Sequence, residues 1–223
     1  FLPERLRPPM LVTSHGGDLF SLRGRMFHAI KRFVLLRAQA ATVVSEAMVA
    51  PMRALAPHLP LSVSPMGVDL QRHFVPSSAA RARNELLFVG RLVEKKGLVH
   101  LLDALPAVLA HHPDTTLTVI GHGPERDARQ AQVEALGLQA HVRFLGALPQ
   151  ESLPAHYQRA TALVAPFVQA RNGDQEGLGL VTVEALGCGC PVVTTDVPAV
   201  QDAFPAGPPR YLAPQRDAAA LAS

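Results

Sequence analysis

The chain has 223 residues, 48% of them hydrophobic and 17% charged, with a formal net charge of +3. That balance describes one or two globular domains, and no apolar run approaches the ~20 residues needed to span a bilayer as a helix. Aromatics make up 5%, tryptophan is absent, and basic residues do not alternate with stacking rings, which argues against a nucleic-acid partner.

In chain order, Met10 to Thr13 reads as a strand, 21–38 as a helix, Thr42 to Val44 as a strand, 46–55 as a helix, and Leu61 to Val63 as a strand. The stretch 71–84, rich in Pro, Ser, Ala and Arg, reads as an interdomain linker. Beyond it, apolar β-branched runs alternate with amphipathic stretches. Strands are expected at 86–89, 116–120, 142–145, 162–165 and 192–195, with a weak one at 211–212. The helices between them are expected at 97–111, 125–136, 151–159 and 180–186, with another beginning at 218. Strand-helix alternation with near-continuous apolar strands implies α/β, a parallel sheet covered on both faces and doubly wound. The expected division is a partial Rossmann-like domain over 1–70, a linker over 71–84 and a second such domain over 85–223. The first domain begins as if in mid-fold and the last helix has only started, so the segment reads as a fragment.

Several small constellations fall at predicted strand ends, where open α/β sheets bind ligands. Glu176 and Glu184 bracket Gly177, Leu178, Gly179 and Leu180 at a helix start. Unpaired N–H groups and the positive end of the helix dipole suit a phosphate there. At helical rise the two carboxylates lie up to roughly 12 Å apart, which suits a ligand with hydroxyls at each end and phosphate between. Gly90 and Arg91 close a strand and Lys96 opens a helix, where two cations can clamp a diphosphate. Gly121 and Gly123 form a turn that leaves room for a ligand, with His122 between them. His15, before two glycines, can approach a sugar across a cleft, and Asp18 caps the helix that follows. Each has a bland alternative on spacing alone: Glu176 a cap, Glu184 on a wet face, Arg91 and Lys96 solvated cations, Gly121 to Gly123 a tight turn, His122 a solvated loop residue, His15 a structural turn residue.

The helix carrying Leu22, Met26, Ile30 and Phe33 has Arg23, Arg25, Lys31 and Arg32 on its other faces. Such a helix can rest on anionic lipid, but packing of the stripe on a sheet is the preferred expectation. Cys188 and Cys190, separated by one residue, read as buried fillers in a reducing compartment.

In order, Ser14 to Asp18, Thr42 to Glu46, Pro65 to Asp69, Phe88 to Arg91 with Lys96 and Gly97, Ile120 to Pro124, and Glu176 to Val193 resemble the signature stretches of family 4 retaining glycosyltransferases. The resemblance spans nearly the whole chain. It implies the GT-B fold of two Rossmann-like domains with the site in the cleft between them. It implies sugar transfer with retention from a nucleotide-diphosphate donor, without a cofactor or bound metal. By matched position, Arg91 and Lys96 would hold the diphosphate and Glu176 with Gly177 to Gly179 the transferred sugar. Glu184 would bind the ribose hydroxyls, and His15 would reach the sugar from the other domain. Gly90, Gly121, Gly123, Leu178 and Leu180 would complete the donor site. The sequence departs after Asp196, where Pro198, Ala199, Gln201 and Asp202 stand in place of a Gly-Gly and a Glu. The family's acceptor-side glycine loop is missing.

The expected function is therefore hexosyl transfer from a UDP-, GDP- or ADP-sugar to a glycan or lipid-linked acceptor in bacterial envelope or exopolysaccharide synthesis. The location is expected to be cytoplasmic, with peripheral contact at the inner face of the membrane, and the segment by itself is expected to be inactive. The alternatives are a non-catalytic sugar-nucleotide-binding subunit and a nucleotide-sugar epimerase.

Overall fold

In a computed structural model, residues 8–204 and 211–223 are described. Residues 1–7 and 205–210, which fall within the two expected domains, lie outside them. The first unit holds a parallel sheet in the order β1 (Leu11–Ser14), β2 (Ala40–Val43) and β3 (Leu61–Val63). Its connections carry α1 (Gly17–Phe20), α2 (Arg25–Leu35) and α3 (Val49–Leu55).

The second unit contains β4 (Glu85–Val89), α4 (Leu98–His111), β5 (Thr116–Ile120), α5 (Arg126–Ala135), β6 (Val142–Gly146), α6 (Leu153–Arg159) and β7 (Ala162–Ala165). It continues with α7 (Leu180–Gly187), β8 (Val192–Thr195), α8 (Pro198–Gln201), β9 (Tyr211–Ala213) and α9 (Ala218–Ala222). All described pairings in its sheet are parallel, in the order β6-β5-β4-β7-β8-β9.

Alternating side chains of these strands feed two cores. Leu87, Val89 and Ile120 pack with Tyr157 of α6 and Ala185 of α7. Phe88, Leu117 and Val119 pack with Leu98, Leu101, Leu102 and Leu105 of α4 and Val133 of α5. A strand buried on both sides needs apolar residues at consecutive positions, which is why β4 runs apolar from Leu86 to Val89. The strand order reverses between β4 and β7. The helices that follow these two strands, α4 and α7, pack on opposite faces of the sheet, and the crevice outside the strand ends at such a point is where these sheets bind ligands.

The fold corrects several expectations. The helix expected over 21–38 is the shorter α2 (Arg25–Leu35); Ser21 to Gly24 separate it from a short preceding helix, α1, with Gly24, a poor helix former, just before its start. The apolar stripe expected to pack on a sheet lies open. Leu22, Met26, Ile30 and Phe33 are 47%, 65%, 51% and 48% exposed, and Leu35 is the buried residue of α2. Asp18 does not cap its helix; it sits in the first turn and accepts a hydrogen bond from the His15 N–H (3.1 Å).

The proline-rich stretch 71–84, between the two sheets, packs against the second unit. Phe74 is buried in the core of the second unit. Arg81 donates to the carbonyls of Tyr157, Gln158, Ala160 and Cys188 (2.8–3.0 Å), satisfying the open ends of α6 and α7. Cys188 and Cys190 are free and buried, and burial pushes the Cys188 thiol up to about 11.

Candidate active site

The site forms where the loops after β4 and β7 meet. After Val89 the chain runs through Gly90 and Arg91 into a tight turn at Glu94–Lys96, then enters α4 at Gly97. Gly97 has φ +69°, and a Cβ there would lie 1.8 Å from the Pro166 carbonyl oxygen just beyond β7. Any larger residue would push the two loops apart. The Val168 N–H donates to the Lys95 carbonyl (3.0 Å), and the Thr195 hydroxyl at the end of β8 donates to the Phe167 carbonyl. The long loop that carries Glu176 is thereby tied to its neighbours.

Between these loops lies a cavity of about 540 Å³ lined by Arg91, Lys95, Lys96, Asn172, Asp174 and Glu176, with Gly17 contributed by the first unit. The Lys96 ammonium is 2.7 Å from a Glu176 carboxylate oxygen, with both side chains about 15% exposed. The Gly179 N–H at the start of α7 also donates to Glu176 (3.3 Å). Burial opposes ionisation of Glu176. Lys96, Lys95 and that N–H outweigh it, and the carboxyl is held below its ordinary value. Beside this pair, Lys95 contacts Asp174 (3.2 Å). Arg91 is exposed and makes no ion pair among the described residues.

Glu184 lies on the inner side of α7, 7% exposed. The Tyr157 hydroxyl donates to it (2.8 Å). Burial pushes Glu184 above the usual carboxylate range, against the pull of Tyr157, Lys96 and His73. The Tyr157 hydroxyl is driven far up by burial and by the negative charge of Glu184. Glu184 is thus not on a wet face. It is a buried acid within electrostatic reach of the Lys96 that pairs with Glu176.

The two units touch at this loop. A Cβ on Gly177 would lie 2.4 Å from the His15 carbonyl, and one on Gly16 would lie 3.1 Å from Gly177 Cα. Leu178 and Leu180 pack in the apolar cluster of the first unit, with Val43, Met48 and Met52. Asp202 accepts a hydrogen bond from the Glu46 N–H across the same boundary. His15 is exposed, with its backbone against the loop, and His122 is exposed beyond β5. Gly121 and Gly123 lie tightly against the backbone of Gly90 and Leu92. The structure therefore brings Arg91, Lys96 and Glu176 into one cavity, sets Glu184 behind them and puts His15 at the boundary between units. Sequence reasoning missed Tyr157, Lys95 and Asp174. The doubled lysine was the visible signal for Lys95; nothing local marks Tyr157.

A family model described as "Glycosyl transferases group 1" matches residues 71–223. The chain belongs to this family. Among similar proteins, the GDP-mannose-dependent alpha-(1-6)-phosphatidylinositol monomannoside mannosyltransferase of Mycolicibacterium smegmatis is 38% identical over 151 residues, 63% of this chain and 39% of that protein. The glycogen synthase of Mycobacterium tuberculosis is 32% identical over 214 residues, 94% of this chain and 50% of that protein. The chain thus spans half or less of the length of these relatives.

A crystal structure of Anabaena Alr3699/HepE in complex with UDP and glucose matches 96% of this chain and 60% of its own, with TM-score 0.80 and 21% identity. Sucrose-phosphate synthase from Thermosynechococcus elongatus matches 95% of this chain and 56% of its own, with TM-score 0.78 and 26% identity. The group 1 glycosyl transferase described here has the GT-B architecture, with a parallel sheet in each unit.

Proposed function

We propose that the chain is the donor-binding portion of a retaining hexosyltransferase that takes its sugar from a nucleotide diphosphate. One observation supports this above the others: Arg91, Lys96 and Glu176, remote in sequence, line one cavity at the reversal of strand order. The names of the relatives point the same way, one being GDP-mannose-dependent and one solved with UDP and glucose.

In this reading Arg91 and Lys96 meet the diphosphate. Lys96 enters already paired with Glu176, so an incoming phosphate shares or draws off that ammonium and frees the carboxylate to accept sugar hydroxyls. As the bond from the anomeric carbon to the diphosphate oxygen breaks, negative charge grows on the leaving group beside both cations. Removing one donor from such an arrangement costs ~3–4 kcal/mol of barrier. The acceptor oxygen bonds to the anomeric carbon on the face the leaving group vacates, and its proton passes to a phosphate oxygen of the donor. Glu184 would accept from the ribose hydroxyls through its free oxygen, and His15 would contact the sugar from the first unit. Two cations at the diphosphate supply the charge a metal would otherwise provide, so chelators should leave the rate unchanged.

Among the described residues no helix is long and apolar enough to cross a membrane. The open stripe of α2, flanked by Arg25, Lys31 and Arg32, supports peripheral contact with an anionic bilayer, read by vesicle flotation with and without Met26→Ser and Phe33→Ser.

Calorimetric titration of the whole protein with UDP-, GDP- and ADP-sugars, followed by tracing a labelled sugar, tests the function. Movement of label to an acceptor supports transfer. Interconversion within the nucleotide-sugar would instead indicate an epimerase, and binding without any conversion a non-catalytic subunit.

A further inference from the structure

A second cavity, of about 440 Å³, lies beside the first. Glu94 lines both. Val168 and Arg171 line the second, whereas Ala170 and Asn172 line the first, so the same loop walls the two. Arg129 of α5, Arg171 and Arg216 surround it, with His100 at the start of α4.

The charges there are not balanced within the protein. Glu94 is engaged by Arg171, accepting from its backbone N–H (3.0 Å) with the guanidinium 3.9 Å away. Arg129 has no side-chain hydrogen bond or ion pair among the described residues, although its Nε is shielded from solvent. A buried donor without an acceptor is destabilising, and folded proteins rarely retain one without a reason. Arg216 donates to the Gln169 carbonyl and has no carboxylate partner among the described residues. Its backbone has φ +63°, in the left-handed region that glycine occupies far more readily. Strain of this kind clusters where a side chain is needed in place. Glu125 completes the wall and pairs with none of the three arginines within ion-pair distance.

Guanidinium forks match phosphate oxygens, and carboxylates at the edge accept hydroxyls. The volume falls in the range of small-molecule sites, ~300–1,000 Å³. We propose that this cavity is a second binding site, separate from the donor site, for a phosphorylated polyol of sugar-phosphate size. Arg129 and Arg216 take the phosphate; Glu94 and Glu125 take hydroxyls.

The test is calorimetric titration of the whole protein with glucose 6-phosphate, inorganic phosphate and glucose. Glucose 6-phosphate should bind saturably at one site, and inorganic phosphate and glucose at least about tenfold more weakly. Arg129→Ala and Arg216→Gly should each weaken glucose 6-phosphate by about tenfold or more, and Arg91→Ala should leave it unchanged. Circular dichroism and Tm of both variants, with retained donor binding, separate lost binding from lost folding. Absence of binding by glucose 6-phosphate, equal binding of inorganic phosphate, or a loss confined to Arg91→Ala would overturn the proposal. The last result would assign the ligand to the donor cavity, and the donor titrations stand or fall independently of it.

Discussion

Glu176 and Glu184 are eight residues apart, and both are largely withdrawn from water, yet their surroundings do opposite things to them. Glu176, in the loop before α7, meets the Lys96 ammonium and the Gly179 N–H, and its charged form is favoured. Glu184, inside the helix, meets a tyrosine hydroxyl, and burial favours its neutral form. The difference shows that burial alone does not decide a carboxylate's state. A cation at contact distance outweighs desolvation, and a single neutral donor does not.

The largest effect should come from breaking the charged member of this contrast. Lys96→Ala removes a cation from the leaving-group position and leaves Glu176 a shielded charge without its partner. Transfer in the whole protein should fall on the order of 10²–10³-fold in kcat, measured at saturating donor with circular dichroism confirming the fold. Tyr157→Phe attacks the neutral member, removing the donor that Glu184 accepts from. It should cost about 1–3 kcal/mol of stability, read from denaturant unfolding.

The two acids should also answer pH with opposite sign. The stability from Glu176, whose folded value is lowered, is present above the unfolded carboxylate value and lost as pH falls through the folded one. Glu184, whose folded value is raised, carries a penalty that is absent below the unfolded value and grows as pH rises to the folded one. Relative to wild type, Glu184→Gln should therefore gain stability with rising pH through that window, whereas Glu176→Gln should lose it above the ordinary carboxylate range. Tm against pH for the three proteins checks this, and parallel curves would refute the assignment. The last change lies away from the site and should leave transfer chemistry untouched. Arg81→Ala should lower stability by about 2 kcal/mol, because water can replace only part of the hydrogen bonding at the ends of α6 and α7.

Most of the second unit was legible because β4, β7 and β8 are largely apolar runs and α4 and α7 start at glycines, signals confined to a few consecutive residues. The clustering of Arg91, Lys96 and Glu176 was inferred from motif resemblance and from the rule that strand ends form the crevice. The first unit was read less well. The helix expected over 21–38 overran α2 at both ends, and a stripe with the pattern of a packed face lies open in the described structure. Periodicity reports which side chains share a face and carries no information about what stands opposite.

The order of elements, the parallel class of the sheets and the identity of the charged residues at strand ends follow from local patterns, since backbone geometry and burial periodicity act over a few residues. The pairing of Lys96 with Glu176, the hydrogen bond of Tyr157 to the buried Glu184, the anchoring of Leu178 in the first unit and the grip of Arg81 on two helix ends do not. Each joins residues from about 27 to more than 100 positions apart. Such contacts depend on how sheets, helices and loops stack in space, and the charge state of an acid is settled by those neighbours.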